Sequence, residues 1–243
     1  MAPTQLPAGR AASLWLHSGG LIYHVRALRY RQRLWRPFCT QAARWLDSWH
    51  PPAQKLLIVG PSAGYTLSGA WLARFQRIDV LEPDPLARWL LGRRFPRLQF
   101  HAGTLDCFAA PDGPAQLALA YPDHAILFAN VIGQMLGDTL ETEWLGALQI
   151  ALRGRNWATY HDVISTDTPP ACTRAVTHAA GAPLEEVLRD FWQVAALSVH
   201  DHGTFGVLPG GTGYAVWSIT PHQHHLVAWN AYCMMDEWSS APA

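Results

Sequence analysis

A compact apolar run that leads into a glycine-containing turn constrains the fold of this chain more than any other feature. Lys55-Leu56-Leu57-Ile58-Val59 has the composition of a strand buried on both faces, and Gly60-Pro61-Ser62-Ala63-Gly64 follows it directly. Apolar residues at helical spacing come next, and residues 78–81 then predict a second strand. A strand, a glycine turn, a helix and a second strand in this order indicate a parallel βαβ unit.

Predicted helices and strands keep alternating after this unit. The helices fall at residues 85–95, 139–152 and 183–197, and the strands at residues 98–101, 125–130 and 157–164. Two strand-like runs at residues 214–219 and 225–229, separated by a proline-containing turn, then predict a hairpin. The predicted fold class is α/β: a mostly parallel, seven-stranded Rossmann-like sheet with helices on both faces and a C-terminal antiparallel hairpin.

The segment before the first strand has a different character. Apolar and aromatic residues recur at helical spacing over residues 20–49 with one break at Pro37, which predicts two short helices. We therefore expect an N-terminal helical cap at residues 1–53, closing the substrate pocket, and a Rossmann-like domain at residues 54–243. Six arginines between residues 26 and 44 are opposed by Asp47 alone: Arg26, Arg29, Arg31, Arg33, Arg36 and Arg44. They form either a solvated helix face or a basic surface that recruits an anionic substrate or a membrane.

Charge, cysteine spacing and hydropathy argue against several classes of function. The formal net charge is zero at pH 7, so the chain lacks the broad positive field of a typical nucleic-acid-binding protein. Its four cysteines lie far apart without a CxxC pair, which argues against a zinc site or a disulfide framework. No apolar run has the length of a membrane span or a secretory signal, and we expect a cytoplasmic protein.

The turn and an acid after the second strand together predict a cofactor site. Glycines let a ligand approach the backbone, and the free N–H groups of the following helix attract polar or anionic groups. In sheets of this kind an acid about twenty residues further on accepts hydrogen bonds from ribose hydroxyls. Glu82, in the segment Val80-Leu81-Glu82-Pro83-Asp84, occupies this place.

These segments resemble the first two motifs of class I S-adenosylmethionine-dependent methyltransferases. The resemblance implies a set of residues that border S-adenosylmethionine: Gly60, Pro61, Ser62, Gly64, Glu82 and Pro83. The segment 102–108 looks like the third motif, which places Asp106 at the adenine amino group and Cys107 beside the ring. The segment 127–134 looks like the fourth, which places Asn130 near the methionine end. The function implied is methyl transfer from S-adenosylmethionine.

Two positions depart from the family pattern and leave alternatives open. The family often has an acid where this chain has Ile58, and Ser62 replaces the middle glycine of the turn. Such replacements are also typical of a non-catalytic S-adenosylmethionine-binding protein. The turn further matches GxSxG, the nucleophile motif of α/β-hydrolases, with Asp162 or Asp201 and later histidines in the required chain order. No strand that could carry an oxyanion-hole loop precedes this turn, which argues against the hydrolase.

Methyl transfer to an oxygen or nitrogen acceptor requires positioned reactants and a base. His161, at the predicted end of the fifth strand, and His200 are the candidate bases, with Asn130 beside the transferred group. A set of five histidines raises a metal-site hypothesis: His200, His202, His222, His224 and His225. No carboxylate spacing completes it, so no metal ligand is predicted.

The expected acceptor is a small molecule. Asn130 is followed by Val131-Ile132 and not by the Pro-Pro-aromatic run found in enzymes that methylate amino groups of nucleic-acid bases.

Overall fold

The computed structural model describes residues 20–132, 141–194, 196–207 and 210–233. Within these residues seven α-helices are present: α1 (Gly20–Tyr30), α2 (Arg36–Ser48), α3 (Gly69–Leu72), α4 (Pro85–Arg94), α5 (Gly113–Ala120), α6 (Glu141–Ala151) and α7 (Leu184–Phe191). Nine strands are present in the same residues: β1 (Lys55–Val59), β2 (Arg77–Leu81), β3 (Phe100–Ala102), β4 (His124–Ala129), β5 (Trp157–Thr166), β6 (Val176–His178), β7 (His200–Asp201), β8 (Thr212–Thr220) and β9 (Gln223–Tyr232).

The strands form one sheet whose order is β3-β2-β1-β4-β5-β9-β8-β6, with β7 paired to β5. Strands β1 to β5 are parallel, in the order of a doubly wound Rossmann-like sheet. Strand β9 is antiparallel to β5 and forms a hairpin with β8. Because β1 pairs with β2 on one side and β4 on the other, the strand order reverses between β1 and β4. Ligands of such sheets bind at this reversal, beyond the carboxyl ends of the strands.

Helices cover both faces of the sheet because alternate strand residues point to opposite sides. On one face, the segment between α1 and α2 buries Trp35 against Trp217 of β8, and α2 buries Phe38 against Trp217 and against Trp229 of β9. On the other, α5 and α6 cover the parallel strands, and α7 covers β5, β8 and β9. The predicted α/β class with a terminal antiparallel hairpin is confirmed.

The N-terminal helices differ from the prediction in where the chain bends. The break lies ahead of Pro37, in a five-residue π-helical segment, Arg31–Trp35, and Pro37 itself lies in the first turn of α2. Proline has no N–H to donate to the carbonyl four residues earlier, and the changed hydrogen-bond pattern precedes it. From residue 20 onward both helices pack into the main core of the sheet. The boundary of a separate cap at residue 53 stays a prediction.

The sequence prediction of seven strands was too low. Strands β6 and β7 have only three and two residues and carry no detectable alternation. Helix α5 was also missed, since its sequence GPAQLALA is almost entirely apolar and has little amphipathic pattern. The predicted helix at residues 139–152 begins outside the described residues, and its described part is α6.

Candidate functional site

The turn after β1 is tightly folded and packs against side chains from other parts of the protein. Gly60, Ser62 and Gly64 all have positive φ, at 66°, 49° and 65°. A methyl group at Gly60 would overlap the Val131 side chain, and one at Gly64 would lie 2.6 Å from Leu91 Cδ1. The positive φ favours glycine at both positions, and a side chain at either would also require neighbouring side chains to shift. Val131 fills the position that a Gly60 side chain would take, and the place of Gly60 at the cofactor stays a prediction.

Glu82 lies at the carboxyl end of β2 and turns its carboxylate back onto this turn. Its Oε2 accepts a hydrogen bond from the Ser62 backbone N–H at 2.8 Å, and its Oε1 accepts one from the Asp84 N–H at 3.1 Å. Burial raises the pKa of Glu82, and the two N–H donors offset this only in part. A carboxylate has about four acceptor positions, so two remain for ligand hydroxyls.

The segment after β3 supplies the next predicted residues. Asp106 is exposed, and its Oδ1 accepts a hydrogen bond from the Phe108 N–H at 3.1 Å. Cys107 is buried, burial raises the pKa of its thiol to about 12, and its carbonyl accepts from Trp144 Nε1 at 2.6 Å. Phe108 stacks on the Trp144 ring. Asp106 is thus presented to solvent from an anchored loop, whereas the Cys107 side chain points into the core.

A hydrogen-bonded group that includes Asn130 lies where β4 and β5 meet the hairpin. Asn130 has a φ of 59°, its Nδ2 donates to Asp162 Oδ2 at 3.3 Å, and its buried Oδ1 has no hydrogen-bond partner in the described part of the chain. His225 of β9 places Nδ1 3.1 Å from the same Asp162 oxygen. Burial alone lowers the pKa of His225, but the charge and hydrogen bond of Asp162 outweigh it, and the net pKa is raised. The ring of His202 stacks on His225.

The bulge in β5 explains why the sequence analysis missed this group. Asp162 pairs with Val227 and Ile164 with Leu226, so Val163 is an extra residue that breaks the regular alternation. Sequence reasoning treated Asp162 only as a hydrolase acid and His225 only as a metal ligand. A bulge at Val163, between Asp162 and Ile164, has no signal in a single sequence. The nearest signal for this group in the sequence was Asp162, an acid in a buried strand.

The two histidines predicted as bases lie elsewhere. Strand β5 continues to Thr166 and does not end near His161, so that assumption was wrong. His161 is fully buried in the middle of the strand, and burial lowers its pKa to about 4. His200 is exposed on the short strand β7, with its ring edge-on to His202. The catalytic roles of both histidines stay predictions, and the burial of His161 weighs against a role for that residue as the base.

Helix α1 lies close both to the residues around Glu82 and to the group around Asn130. The buried His24 places Nδ1 3.1 Å from the Tyr65 hydroxyl and Nε2 3.7 Å from Asp84 Oδ2, which ties the helix to the residue after the turn and to the N-terminus of α4. Arg26 is half-buried, and its charge opposes protonation of His225. Arg29 is exposed and stacks on Tyr30. The helix therefore passes over the carboxyl ends of the strands with Arg26, but not Arg29, directed inward.

The hydrolase alternative finds little support in this geometry. The positive φ of Ser62 is compatible with a nucleophile turn, yet no histidine is hydrogen-bonded to its hydroxyl among the described residues. Strand β1 is also the first strand in the described chain. Within the described ranges, no group of three His, Cys, Asp or Glu side chains is placed to hold a metal ion. No helix in those ranges is long and apolar enough to cross a bilayer.

Comparisons with known proteins add a distant similarity of fold. No known protein family matches the sequence, and no curated protein matches it. Among solved structures, the N-methyltransferase NodS from Bradyrhizobium japonicum WM9, in complex with S-adenosyl-L-homocysteine, is 14% identical with a TM-score of 0.43. That match covers 81% of this chain and 86% of NodS. A methyltransferase from Anabaena variabilis ATCC 29413 is 13% identical with a TM-score of 0.45, covering 85% of this chain and 91% of its own.

A third structure is CalS10 from Micromonospora echinaspora, an amino pentose methyltransferase. It is 16% identical with a TM-score of 0.37, and the match covers 85% of this chain and 96% of CalS10. All three TM-scores lie below 0.5, so these similarities carry no argument about function.

Proposed function

We propose that this chain transfers a methyl group from S-adenosylmethionine to an oxygen or nitrogen of a small-molecule acceptor. The observation that carries the proposal is the Glu82 carboxylate, which lies at the end of β2 against the turn where the strand order reverses. A half-buried acid in this place suits the paired hydroxyls of a ribose. The antiparallel pairing of β9 with β5 favours this cofactor over a nicotinamide dinucleotide.

The polar groups at this edge fit the cofactor. Glu82 keeps two acceptor positions for ribose hydroxyls, and the exposed Asp106 can accept from an adenine amino group. Asn130 Oδ1 is a buried acceptor without a hydrogen-bond partner in the described residues, and an ammonium group at the methionine end would satisfy it. When bound, S-adenosylmethionine supplies an electrophilic methyl group on a sulfonium.

The residues of this chain would hold the acceptor and receive its proton. Asp162, which accepts a hydrogen bond from Asn130, forms an ion pair with His225, and the raised pKa of His225 brings it close to the range suited to acid–base work. Helix α1 lies over this edge and would exclude water from it. We assign the proton-accepting role to this pair in preference to His161.

Titration calorimetry on the purified chain tests the proposed cofactor. S-adenosylmethionine and S-adenosylhomocysteine should each give a saturable heat, and NAD should give none. No heat with either adenosyl ligand up to millimolar concentration, in a folded sample, would contradict the proposal. Binding without turnover of any acceptor would favour the non-catalytic alternative.

Arg26 and Arg29 provide a matched pair for testing the cover formed by α1. Arg26→Ala should lower acceptor turnover by about tenfold, the size of one lost charge-assisted contact, whereas Arg29→Ala should leave it unchanged. Affinity for S-adenosylhomocysteine should stay the same in both variants. Equal loss of turnover in both would show that general surface charge, and not the inward position of Arg26, is responsible.

Ser62→Ala separates methyl transfer from ester hydrolysis. The Ser62 backbone N–H, which the substitution keeps, makes the contact with Glu82. Cofactor affinity should therefore change less than about twofold, the size of a surface substitution. A substrate panel of p-nitrophenyl esters measures the competing activity. Hydrolysis by the native chain that disappears in Ser62→Ala would identify a serine nucleophile and overturn the proposed function.

A further inference from the structure

A basic cavity lies between the N-terminal helices and the residues that follow the turn. Its volume is about 520 Å³, within the range of small-molecule sites. Arg31, Arg36 and Arg44 line one side, and Arg94, the last residue of α4, lines the other with Tyr65. Neither Glu82, Asp106 nor Asn130 takes part in its wall, so it is separate from the proposed cofactor site.

Four arginines line this cavity against one acid. Asp47 is the acidic residue of its lining, and it is engaged by Arg74 through an ion pair of 3.9 Å and a hydrogen bond to its carbonyl. In the described portion of the chain, no carboxylate lies within 4 Å of the guanidinium nitrogens of the four lining arginines. A protein that places several like charges around one cavity without counter-charges gains free energy when an anion enters.

Arg94 forms the inner part of the cavity. It is half-buried, its guanidinium lies 5.0 Å from the centre of the Tyr65 ring, and its Nε is buried without a hydrogen-bond partner in the described residues. Burial lowers the pKa of Arg94, and the charge of Arg31 lowers it further. Arg31, Arg36 and Arg44 are exposed at the opening. The planar guanidinium group donates paired hydrogen bonds that match phosphate oxygens.

We propose that this cavity binds a small molecule carrying two or more phosphate groups. Four guanidinium groups around one open concave site suit a compact polyanion better than a single carboxylate. Thr40 and Gln32 add neutral donors at its wall. The same phosphate chemistry occurs on lipid headgroups, but the half-buried Arg94 at the inner end of the site favours a soluble ligand that can enter over a flat bilayer surface. This site does not depend on the proposed methyl transfer, because the two share no wall residue.

Calorimetry with pyrophosphate on the full chain tests the site, at an ionic strength held constant with sodium chloride. Saturable binding is expected, and Arg94→Gln and Arg44→Gln should each weaken it by about tenfold or more. The matched control is Arg93→Gln, on the neighbouring and exposed arginine that stacks on Trp89, which should bind as the native chain does. Thermal melting of each variant shows that it is folded.

Three results would overturn the proposal. The first is no saturable heat with pyrophosphate at millimolar concentration. The second is equal weakening in Arg93→Gln and Arg94→Gln, which would reflect surface charge in general. The third is sedimentation with phosphatidylserine vesicles in a chain that binds no pyrophosphate, which would identify lipid headgroups as the source of phosphate. Binding of S-adenosylhomocysteine, measured in the same samples, reports on the cofactor site separately.

Discussion

Asp162→Asn should lower the free energy of unfolding by about 3 kcal/mol, the lower end of the cost of breaking a buried ion pair. The Asp162 carboxylate is buried, 3.1 Å from His225 Nδ1 and 3.3 Å from Asn130 Nδ2. The substitution keeps the size of the side chain but leaves a buried His225 without its counter-charge. For a domain of this size the melting temperature should fall by roughly 6–12 °C.

The unfolding free energy lost in Asp162→Asn should depend on pH in a direction set by His225. The folded pKa of His225 is raised above its unfolded value, so the pair stabilises the fold fully below the unfolded pKa, which is about 6.5 for histidine. This stabilisation disappears as the pH rises through the raised folded pKa. The difference between the native chain and Asp162→Asn should therefore be largest in mildly acidic solution and shrink in alkaline solution.

Asp167→Asn is the control for this prediction. Asp167 lies directly after β5 but is exposed, and its substitution should change the unfolding free energy by less than about 0.5 kcal/mol. Urea unfolding of the three proteins across the pH range measures the difference. A difference that grew with rising pH would show that His225 is not the group that Asp162 stabilises.

Glu82→Gln should weaken the binding of S-adenosylhomocysteine by about 1–3 kcal/mol, the cost of leaving ligand hydroxyls without a charged acceptor. Glutamine keeps the shape of the side chain and one oxygen for the Ser62 or Asp84 N–H, so the turn should remain folded. Because burial raises the pKa of Glu82, affinity in the native chain should fall as the pH is lowered through that pKa. The Gln variant should lack this pH dependence.

Asp123→Asn provides the matched control for the loss of one carboxylate. Asp123 is exposed, pairs with Lys55 and precedes β4, at the amino end of the parallel strands. The affinity of the Asp123→Asn variant for S-adenosylhomocysteine should equal that of the native chain. If Glu82→Gln bound as tightly as this control, the carboxylate at the end of β2 would not hold the ribose, and the proposed site would be wrong.

The parallel half of the sheet was predictable because its strands are buried on both faces. Continuous apolar runs such as Lys55–Val59 and His124–Ala129 have no competing helical period, and the turns between them contain glycine or proline. The short strands β6 and β7 could not be predicted, since two or three residues carry no period. Their pairing is decided by neighbouring strands and not by their own sequence.

The candidate site was predictable only where it depends on the order of segments along the chain. Glu82 was found because an acid after the second strand is a local feature. The contact between Asp162 and His225 joins residues 63 positions apart through a bulge, and the contact of His24 with Tyr65 joins two segments that share no motif. Such contacts follow from tertiary packing, which spacing in the sequence does not encode.

Hydrogen–deuterium exchange with S-adenosylhomocysteine tests the central claim most directly, because it locates the ligand on the native chain. At a free ligand concentration 100 times the dissociation constant, binding stabilises the folded state by about 2.7 kcal/mol. The account predicts slower exchange, by up to about 100-fold, in the turn at residues 60–64, at the end of β2 and in the loop that carries Asp106. Unchanged exchange in all three segments at saturating ligand, or protection confined to the basic cavity at residues 31–47, would contradict it.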